Sequence, residues 1–485
     1  MHLSKHIIIS FFCILMVTGF TACNDELFTS NPDKTLAFST DTLTFDTVFT
    51  TIGSTTEKFL IYNHHNRALN ISSIRLAGGA SSVFRLNVDG SRNANNSFSN
   101  IEISAHDSLY VFVEVTIDPR NSDSPVLVQD SVIFTTNGNK QQVKLEAYGQ
   151  DMVLFKNKLI LNDSVLSASK PYLIQGYLAI DSAKTLTIPA GCKLYFHNNA
   201  NLLVYGNLNV NGSFEKPVEM RGDRLDKVKF MNPVLYNYVA GQWGGVYLLW
   251  NKGQHTLQHL NITSGYVGLY VPNTDIDELP ELNLSYCRLH NFVYYGIVAQ
   301  NCNLYVDNTE ISNTGSATVY LSGGQHHFTH TTIANFYDSN PFEPSSRDKN
   351  PAVFIMNLYK TAPMSTTFNN CVIAGGIENE LSIASRNLPE YHGAYANTYI
   401  RRSEKYDLSQ FTDVRWSAKT DTVFKHPSYN YKENKYFNFT PDSVSPLRGL
   451  ANKTIATQFP LDLNGNNRLA DNAPDAGAYE WIPAK

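Results

Sequence analysis

Apolar and polar positions form short strand-like stretches between residues 37 and 150, and turn residues separate them. The segments 42–45, 109–115 and 143–148 alternate apolar and polar side chains, and 59–62 is an apolar and aromatic run. Short strands with turns at such intervals are typical of a two-sheet β-sandwich. The pattern therefore predicts an all-β first domain.

A different pattern follows, in which one apolar phrase recurs about every 22 residues, with longer gaps where residues are inserted. The residues that close this phrase are Ile262, Leu289, Ile311, Ile333 and Ile373. Further columns of apolar or small residues stand two and five positions before each of them, and a second apolar strand follows. Because one coil cannot bury its own apolar face, the repeat predicts stacked coils around a continuous core.

The N-terminus has the features of an export signal. Residues 7–20 follow Lys5 and are almost wholly apolar, a length too short to cross a bilayer but suited to a signal peptide. The sequence Phe20-Thr21-Ala22-Cys23 resembles a bacterial lipobox, which implies lipid attachment at Cys23. An ordinary signal peptide with an incidental cysteine is the alternative. Two or more acyl chains on that cysteine make a stable membrane anchor.

The acidic run Asn24-Asp25-Glu26 resembles the export signal of Bacteroidetes surface lipoproteins. This resemblance implies a body that is anchored to the outer membrane and faces the cell surface. The net charge of −5 is mild and unclustered, so no nucleic-acid partner is expected. The membrane, through the lipid anchor, is the expected partner, together with a polysaccharide or an envelope protein.

Three resemblances refine the fold class. The phrases at 45–48, 57–63, 71–74 and 84–86 together resemble immunoglobulin-like modules related to abnormal-spindle and hydin domains. The segments 186–196 and 202–212, followed by 216–220 and 243–246, resemble right-handed parallel β-helix proteins of the pectate-lyase-like superfamily. The tail segments 462–468 and 474–480 resemble the terminal motif of β-helix proteins often described as choice-of-anchor Q.

The expected fold is therefore all-β, with an N-terminal immunoglobulin-like β-sandwich, a right-handed parallel β-helix and a C-terminal cap over its open end. The expected domains are the signal peptide at 1–22, a tether at 23–36, the sandwich at 37–150, the β-helix at 151–385, and its C-terminal end and cap at 386–485.

Metal and cofactor sites are not expected. The mature cysteines Cys192, Cys287, Cys302 and Cys371 lack CxxC spacing. Cys287 and Cys371 fall in one inward column about 14 Å apart, which is too far for a disulfide.

Four histidines and one acidic motif are the remaining candidate metal ligands. His255 and His259 fall in the same columns as His326 and His330, but three coils separate the pairs, so exposed, stacked rings are expected. The spacing of Asp462, Asn464 and Asn466 is compatible with calcium, but no glutamate stands at the twelfth loop position. A structural turn is the favoured interpretation of that motif.

Insertions at 272–281 and 357–366 are expected to leave one corner of the repeat and to frame a shallow trough. Tyr294 and Tyr295 lie in a coil between them, where a ring stacks on a sugar face or, alternatively, helps to fill the core. Asp275 and Asp277 belong to an acidic loop at the same place, for which a solvated loop is the favoured interpretation and ligand binding the alternative. These four residues are the candidate ligand-binding residues, and no catalytic residue is assigned.

The expected function is non-catalytic: a surface lipoprotein whose β-helix binds a glycan or another envelope protein. A polysaccharide lyase or glycoside hydrolase on the same scaffold is one alternative, because many activities share this fold. A structural or adhesive surface protein is the other. Paired carboxylates in one groove would favour the enzyme, whereas an aromatic groove without them would favour binding.

Overall fold

The protein is nearly all-β, with 51% of its residues in strands and 3% in helices. The computed structural model describes residues 28–228, 234–275, 277–337, 347, 349–358, 363–384, 390–403, 406, 408–429 and 437–483. The proposed signal peptide and Cys23 lie outside these ranges. The chain divides into two compact units after Asp151.

The first unit consists of eleven short strands and one 3₁₀ turn, Gly79–Ser81. The strands are β1 (Ala37–Phe38), β2 (Thr42–Phe49), β3 (Glu57–Tyr62), β4 (Leu69–Leu76), β5 (Phe84–Val88), β6 (Ser91–Arg92), β7 (Ser97–Phe98), β8 (Ile101–Ile103), β9 (Ser108–Val115), β10 (Val126–Thr136) and β11 (Asn139–Gln150). One sheet has the order β1-β3-β9-β5-β6, and the other has the order β2-β11-β10-β4-β7, with β8 beside β4.

The two sheets share one apolar core, because alternate side chains of each strand point inward. Phe59 of one sheet meets Phe134 of the other edge to face, with ring centroids 6.2 Å apart. Phe45 and Phe84 make a second contact across the core at 5.9 Å. All four strands predicted from the sequence in this unit are present.

The described part of the predicted tether is packed against this unit. Phe28 forms a bridge with Ala68, and Leu36 is buried in the core. The side chain of Gln141 accepts a hydrogen bond from the backbone N–H of Leu36 and donates one to its backbone oxygen. Residues 28–36 are therefore part of the first unit.

The second unit is built on a parallel sheet of 26 strands. Its strands before the repeat core are β12 (Val153–Ile160), β13 (Ser164–Val165), β14 (Tyr172–Ile180), β15 (Thr185–Pro189), β16 (Lys193–Phe196), β17 (Asn201–Val204), β18 (Asn207–Asn211), β19 (Val218–Gly222), the hairpin β20 (Lys227–Val228) and β21 (Val234–Leu235), and β22 (Gly245–Leu248). The 3₁₀ turn Tyr236–Tyr238 follows the hairpin.

The central strands carry the 22-residue repeat. They are β23 (Gln254–Gln258), β24 (Leu260–Thr263), β25 (Val267–Pro272), β26 (Glu281–Ser285), β27 (Arg288–Phe292), β28 (Tyr295–Asp307), β29 (Glu310–Thr314), β30 (Val319–Thr329), β31 (Thr332–Asn335), β32 (Val353–Ile355), β33 (Met364–Asn369), β34 (Val372–Gly375) and β35 (Leu381–Ile383).

The last strands of the parallel sheet lie beyond residue 385, and a separate hairpin follows them. They are β36 (Tyr391–Ala396), β37 (Tyr399–Ile400), β38 (Phe411–Thr412), β39 (Arg415–Trp416) and the separate hairpin β40 (Phe424–His426) and β41 (Asn438–Pro441). A 3₁₀ turn, Leu408–Gln410, and one short helix, α1 (Lys453–Ala456), complete the described elements.

Strand pairing in the parallel sheet follows three ladders, because most strands pair with the strand one coil later. Ladder A contains β16, β19, β24, β27, β29, β31, β34, β37 and β39. Ladder B contains β17, β22, β25, the first halves of β28 and β30, β32 and β35, and ladder C contains β15, β18, β23, β26, the second halves of β28 and β30, β33, β36 and β38. This arrangement is compatible with a β-helix.

The inward columns predicted from the repeat are present and buried. The residues of the closing column pair in register from Ile262 through Leu289, Ile311 and Ile333 to Ile373, and each is completely buried. Cys287 and Cys371 also lie in the interior and are free thiols. The prediction that these two cysteines are not bonded to each other is confirmed.

The tail does not lie over the end of the sheet, and the predicted position of the cap is wrong. Its apolar residues instead pack on the outer face of ladder A, against Ala334 and Val372. Hydrogen bonds from Ala478 to Thr332 and from Gly477 to Asn370 hold it there. The outer face of ladder A carries small and polar residues at these positions, such as Ala334 and Thr332, so the tail packs closely against it and finds hydrogen-bond partners there. Among the described helices, none has the length and apolar character needed to cross a bilayer.

Candidate functional site

The side chain of Asp275 stabilises the acidic loop between β25 and β26 through hydrogen bonds to the loop backbone. Asp275 Oδ1 accepts hydrogen bonds from the backbone N–H groups of Asp277 (2.9 Å) and Glu278 (3.3 Å). These N–H donors lower the pKa of Asp275, with a smaller contribution from Lys252. Lys252 also forms a 2.8 Å ion pair with Glu278. Asp275 therefore stabilises the loop, and Asp277 is exposed beside it.

The two candidate tyrosines lie at the other end of ladder B. Tyr294 is 52% exposed, and its ring lies 6.0 Å from that of Tyr266. Tyr295 is half-buried and pairs with Val267, the first residue of β25, whereas Pro272 is the last residue of β25. That end is about 17 Å away along the strand direction.

The acidic loop begins beyond Pro272. The structure therefore does not bring the tyrosines together with Asp275 and Asp277. The two insertions do leave the same corner, between ladders B and C, but residues 276 and 359–362 are outside the described ranges.

The expectation of exposed histidines is wrong for three of the four. His255 and His326 lie in one inward column with Leu282 and Leu304 between them. Burial lowers the pKa of each of these two histidines to about 4. His330 is completely buried too.

His259 stacks as expected, on the ring of Tyr286 at 4.9 Å. No group of three or more His, Cys, Asp or Glu side chains within the described ranges is placed to hold a metal ion.

The calcium-like motif in the tail is a closed turn. Asp462 Oδ1 accepts the backbone N–H groups of Asn464 (2.9 Å) and Asn466 (2.7 Å). Its Oδ2 accepts the Asn466 amide and the backbone N–H of Glu480, at 3.0 and 2.9 Å. Because protein donors occupy both oxygens, the carboxylate acts as a structural acceptor.

A cleft of about 630 Å³ lies on the outer face of ladder A, and we name it the ladder A cleft. Its floor consists of outward side chains from β19, β24, β27 and β29, in two columns that run across the coils. One column contains Glu219, Asn261, Arg288 and Glu310, and the other contains Arg221, Thr263, His290 and, beneath the surface, Ser312. Successive members of a column are about 4.8 Å apart.

The walls of the ladder A cleft come from two distant parts of the chain. Asn237 and Tyr238 stand on one side, after the β20–β21 hairpin. Phe437, Phe439 and Tyr479 of the C-terminal segment stand among the other lining residues. The walls thus provide aromatic surface, and the floor provides charged and hydrogen-bonding groups.

His290 is a largely buried polar residue of this floor, with 9% of its surface exposed. Its ring lies between Tyr238, edge-on at 5.8 Å, and Phe437 at 5.5 Å. Burial lowers the pKa of His290, and Glu310 opposes that shift. The imidazole is therefore neutral at pH 7.

The floor carries charge of both signs. Arg288 donates to the backbone oxygen of Leu463 (3.3 Å) and to Asn464 Oδ1 (2.6 Å). Arg221 donates to the backbone oxygen of Arg224 at 2.7 Å. Arg288 also bonds with the Tyr479 hydroxyl. These bonds use only some of the five N–H groups of each guanidinium.

The two floor glutamates are not a catalytic pair. Glu219 and Glu310 stand three coils apart in their column, which separates their backbones by about 14 Å. Both Glu310 oxygens already accept hydrogen bonds, from Ser312 and from Tyr479. Paired-carboxylate hydrolysis uses separations of about 5 to 9.5 Å.

Sequence reasoning missed this cleft. The floor had a readable signal, since polar residues stand on both sides of each anchor in ladder A, as in Asn261-Ile262-Thr263 and Arg288-Leu289-His290. The walls had none, because Tyr238 and Tyr479 are 241 residues apart (479 − 238).

No family model matches the chain, and no curated protein matches it. Among solved structures, a family 123 glycoside hydrolase from Clostridium perfringens is similar over 24% of this chain and 25% of its own, with 10% identity and a TM-score of 0.17. The VesB protease of Vibrio cholerae is similar over 24% and 31%, with 13% identity and a TM-score of 0.17.

The ASH/PapD-like domain 7 of human CEP192 is similar over 25% of this chain and 89% of its own, with 15% identity and a TM-score of 0.17. The matched part of this chain thus spans about a quarter to a third of the first two of these proteins. Likeness at this level assigns no function to the chain.

Proposed function

We propose that this chain is a lipid-anchored outer-membrane protein that binds a glycan at the cell surface through the ladder A cleft. The proposed scaffold is a right-handed parallel β-helix of the pectate-lyase-like superfamily, preceded by an immunoglobulin-like domain. The 22-residue spacing and the three ladders support the β-helix. The two-sheet core of the first unit supports the immunoglobulin-like domain.

The observation that carries the proposed activity is the composition of the ladder A cleft. Aromatic rings offer apolar faces on which a sugar ring stacks. Asn261, Thr263 and the two arginines on the floor offer hydrogen-bonding groups for hydroxyls. A concave site that combines the two is typical of ligand binding. The distance between the floor glutamates supports binding over hydrolysis.

Glycan-array binding tests the proposal directly. The purified protein is applied to laminarin, xylan, mannan, polygalacturonate and heparin, and both binding and release of reducing ends are measured. We expect binding to at least one glycan without release of reducing ends.

Two matched variants locate the binding surface. Thr263→Trp places a bulky ring on the floor of the ladder A cleft and should weaken binding at least tenfold. Tyr294→Ala removes the exposed tyrosine of ladder B and should leave binding unchanged. Absence of binding to every glycan, or release of reducing ends, would contradict the proposal. If Tyr294→Ala loses binding while Thr263→Trp retains it, the binding site lies on ladder B and not in the ladder A cleft.

A further inference from the structure

A smaller pocket lies beside the ladder A cleft, and we name it the Phe214 pocket. It has a volume of about 150 Å³, and the rings of Phe214 and His259 are among its walls. Three residues line both this pocket and the ladder A cleft, namely Asn261, Arg288 and Asn464. The two concave sites are therefore neighbours on one surface of the second unit.

Three aromatic rings form the Phe214 pocket. The rings of His259 and Tyr286 are stacked, with centroids 4.9 Å apart. The Phe214 ring lies at 63° to the His259 ring and at 70° to the Tyr286 ring, at 4.4 and 5.1 Å. Phe214 still has 39% of its surface exposed. It therefore presents an apolar ring surface that a ligand can reach.

The turn between β18 and β19 fixes the position of the Phe214 ring. Ser213 Oγ accepts a hydrogen bond from the backbone N–H of Lys216 at 3.1 Å. The backbone N–H of Ser213 donates to the backbone oxygen of Lys216 at 3.2 Å. Because the turn is already closed, little conformational freedom is lost when a ligand stacks on the ring.

Asn261 offers an accessible polar group at the border of the two sites. Its side chain is half-buried, and its amide forms no hydrogen bond with any residue in the described ranges. The amide atoms are not enclosed by protein, so a ligand can reach them. An amide has one acceptor and two donor hydrogens, which suit the hydroxyl groups and ring oxygens of sugars.

The two sites differ in the length of glycan that each can hold. The ladder A cleft has a volume of about 630 Å³, within the range of about 300 to 1,000 Å³ that is typical of sites for drug-sized ligands. The Phe214 pocket lies below that range and has room for one ring. His259 precedes Asn261 by two residues, which is at most about 7 Å along the chain. Neighbouring rings of one glycan chain span such a distance.

We propose that the Phe214 pocket is a third sugar subsite of this surface, which takes the ring that follows two rings in the ladder A cleft. Asn261 bonds with the glycan chain where it crosses from one site to the other. The inference rests on the proposed glycan-binding function and deepens it, because it defines the ligand as a chain of at least three sugars. A single sugar or a disaccharide fills only part of the surface.

The dependence of affinity on chain length tests the third subsite. Disaccharides and tetrasaccharides are prepared from the glycan that binds in the array (laminarin, xylan, mannan, polygalacturonate or heparin), and calorimetry gives their Kd values. The wild-type protein should bind the tetrasaccharide at least tenfold more tightly than the disaccharide. Phe214→Ala should lose most of this gain, because the third ring loses its stacking surface. Its Kd for the disaccharide should stay within twofold of the wild-type value, which also shows that the variant is folded.

A matched variant controls for the loss of an exposed ring. Phe28→Ala removes a phenylalanine of similar exposure, 45%, from the first unit and should behave like the wild type. A gain with chain length that persists in Phe214→Ala would overturn the inference. Equal affinities of the wild-type protein for the two oligosaccharides would overturn it as well.

Phe214→Trp reports directly on the occupancy of the pocket. This variant keeps an aromatic surface and should retain the gain with chain length. Its added indole emission, measured against the wild-type protein, should change with the tetrasaccharide and not with the disaccharide. Emission that does not respond to the tetrasaccharide would show that the chain does not reach the pocket, and would overturn the inference.

Asn261→Ala tests the contact at the border of the two sites. It should raise the Kd of both oligosaccharides about tenfold, because the lost amide serves the chain on either side of the border. The gain with chain length should remain, since the Phe214 ring is intact. Unchanged affinity of Asn261→Ala for both oligosaccharides would exclude this contact.

The proposed function and the third subsite fail in different ways. If none of the five glycans binds, the proposed function fails, and the subsite fails with it. If a glycan binds but Phe214→Ala retains the full gain with chain length, the proposed function holds and the third subsite is excluded.

Discussion

Two histidines lie in the apolar interior of the parallel sheet, where neighbouring coils carry leucine. His255 accepts a hydrogen bond from the backbone N–H of Leu208, and His326 bonds with the backbone oxygen of Gly323. Each ring thus has one polar contact and otherwise fills space in the core. Burial favours the neutral form of such rings, which links their protonation to folding.

Acid should therefore destabilise the second unit between about pH 6.5 and pH 4. The pKa of each ring falls from its ordinary value near 6.5 to about 4 in the folded protein. A lowered folded-state pKa gives stability that is complete above the unfolded-state pKa and is lost as pH falls toward the folded-state pKa. Each shift corresponds to about 3 kcal/mol at full protonation. Urea unfolding at pH 7 and at pH 4.5 measures the loss.

The double variant His255→Leu/His326→Leu copies the side chains of the intervening coils. It should lose less stability between pH 7 and pH 4.5 than the wild-type protein does. His392→Gln, at an exposed position, is the control and should behave like the wild type. An equal loss in the double variant and the wild type would contradict the assignment.

The four buried cysteines should be chemically inert in the folded protein. Burial raises the pKa of Cys192 to about 11 and those of Cys287, Cys302 and Cys371 to about 12. Because the thiolate is the reactive form, alkylation at pH 8 should leave all four unmodified until the chain is unfolded in urea. Peptide mapping follows each site separately. Rapid alkylation of any of them in the native protein would show that its coil is open to solvent.

At the scale of elements, the C-terminal segment determines the shape of the candidate site. It extends along the outer face of ladder A and ends beside the floor of the ladder A cleft, where Tyr479 bonds with Glu310. Arg468 anchors it from a fully buried position. Its guanidinium donates to Glu480 Oε1 at 2.9 Å and to Asn308 Oδ1 at 2.8 Å.

Arg468→Met should loosen this segment and weaken glycan binding. The variant leaves Glu480 and Asn308 without their guanidinium donor, which costs about 1 to 3 kcal/mol for each group. Burial already raises the pKa of Glu480 to about 8, so its side chain is then protonated at pH 7. Hydrogen exchange should accelerate across 437–483 while ladders B and C stay protected. Lys453→Met, at an exposed site in α1, is the matched control. Unchanged exchange in Arg468→Met would show that the apolar contacts alone hold the segment.

At the scale of the whole molecule, the proposed function requires export and anchoring. Cys23→Ala should abolish fatty-acid labelling and release the protein from the membrane fraction, because the acyl chains are the proposed anchor. Cys13→Ala changes a cysteine within the apolar segment 7–20 and should leave labelling intact. Fatty-acid labelling that persists in Cys23→Ala would exclude lipidation at that cysteine.

The strands and their inward columns were predictable from the sequence because they rest on local periodicity. Alternation along a strand and recurrence near 22 residues are visible in a single chain, and burial of Ile262 or Leu289 follows from them. The free state of Cys287 and Cys371 followed from the same repeat. An outward polar residue such as Thr263 has no such signature, since a solvated face and a binding floor have the same composition.

The sequence by itself determined that this protein is built from short strands, and that a long repeat stacks its apolar columns into a continuous core. Only the tertiary structure decided that the tail covers the outer face of ladder A, that His255 and His326 face inward, and that Tyr238, His290 and Tyr479 meet at one cleft. The reason is physical: periodicity reports which side chains avoid water, whereas the contacts between segments hundreds of residues apart depend on packing that no local pattern encodes.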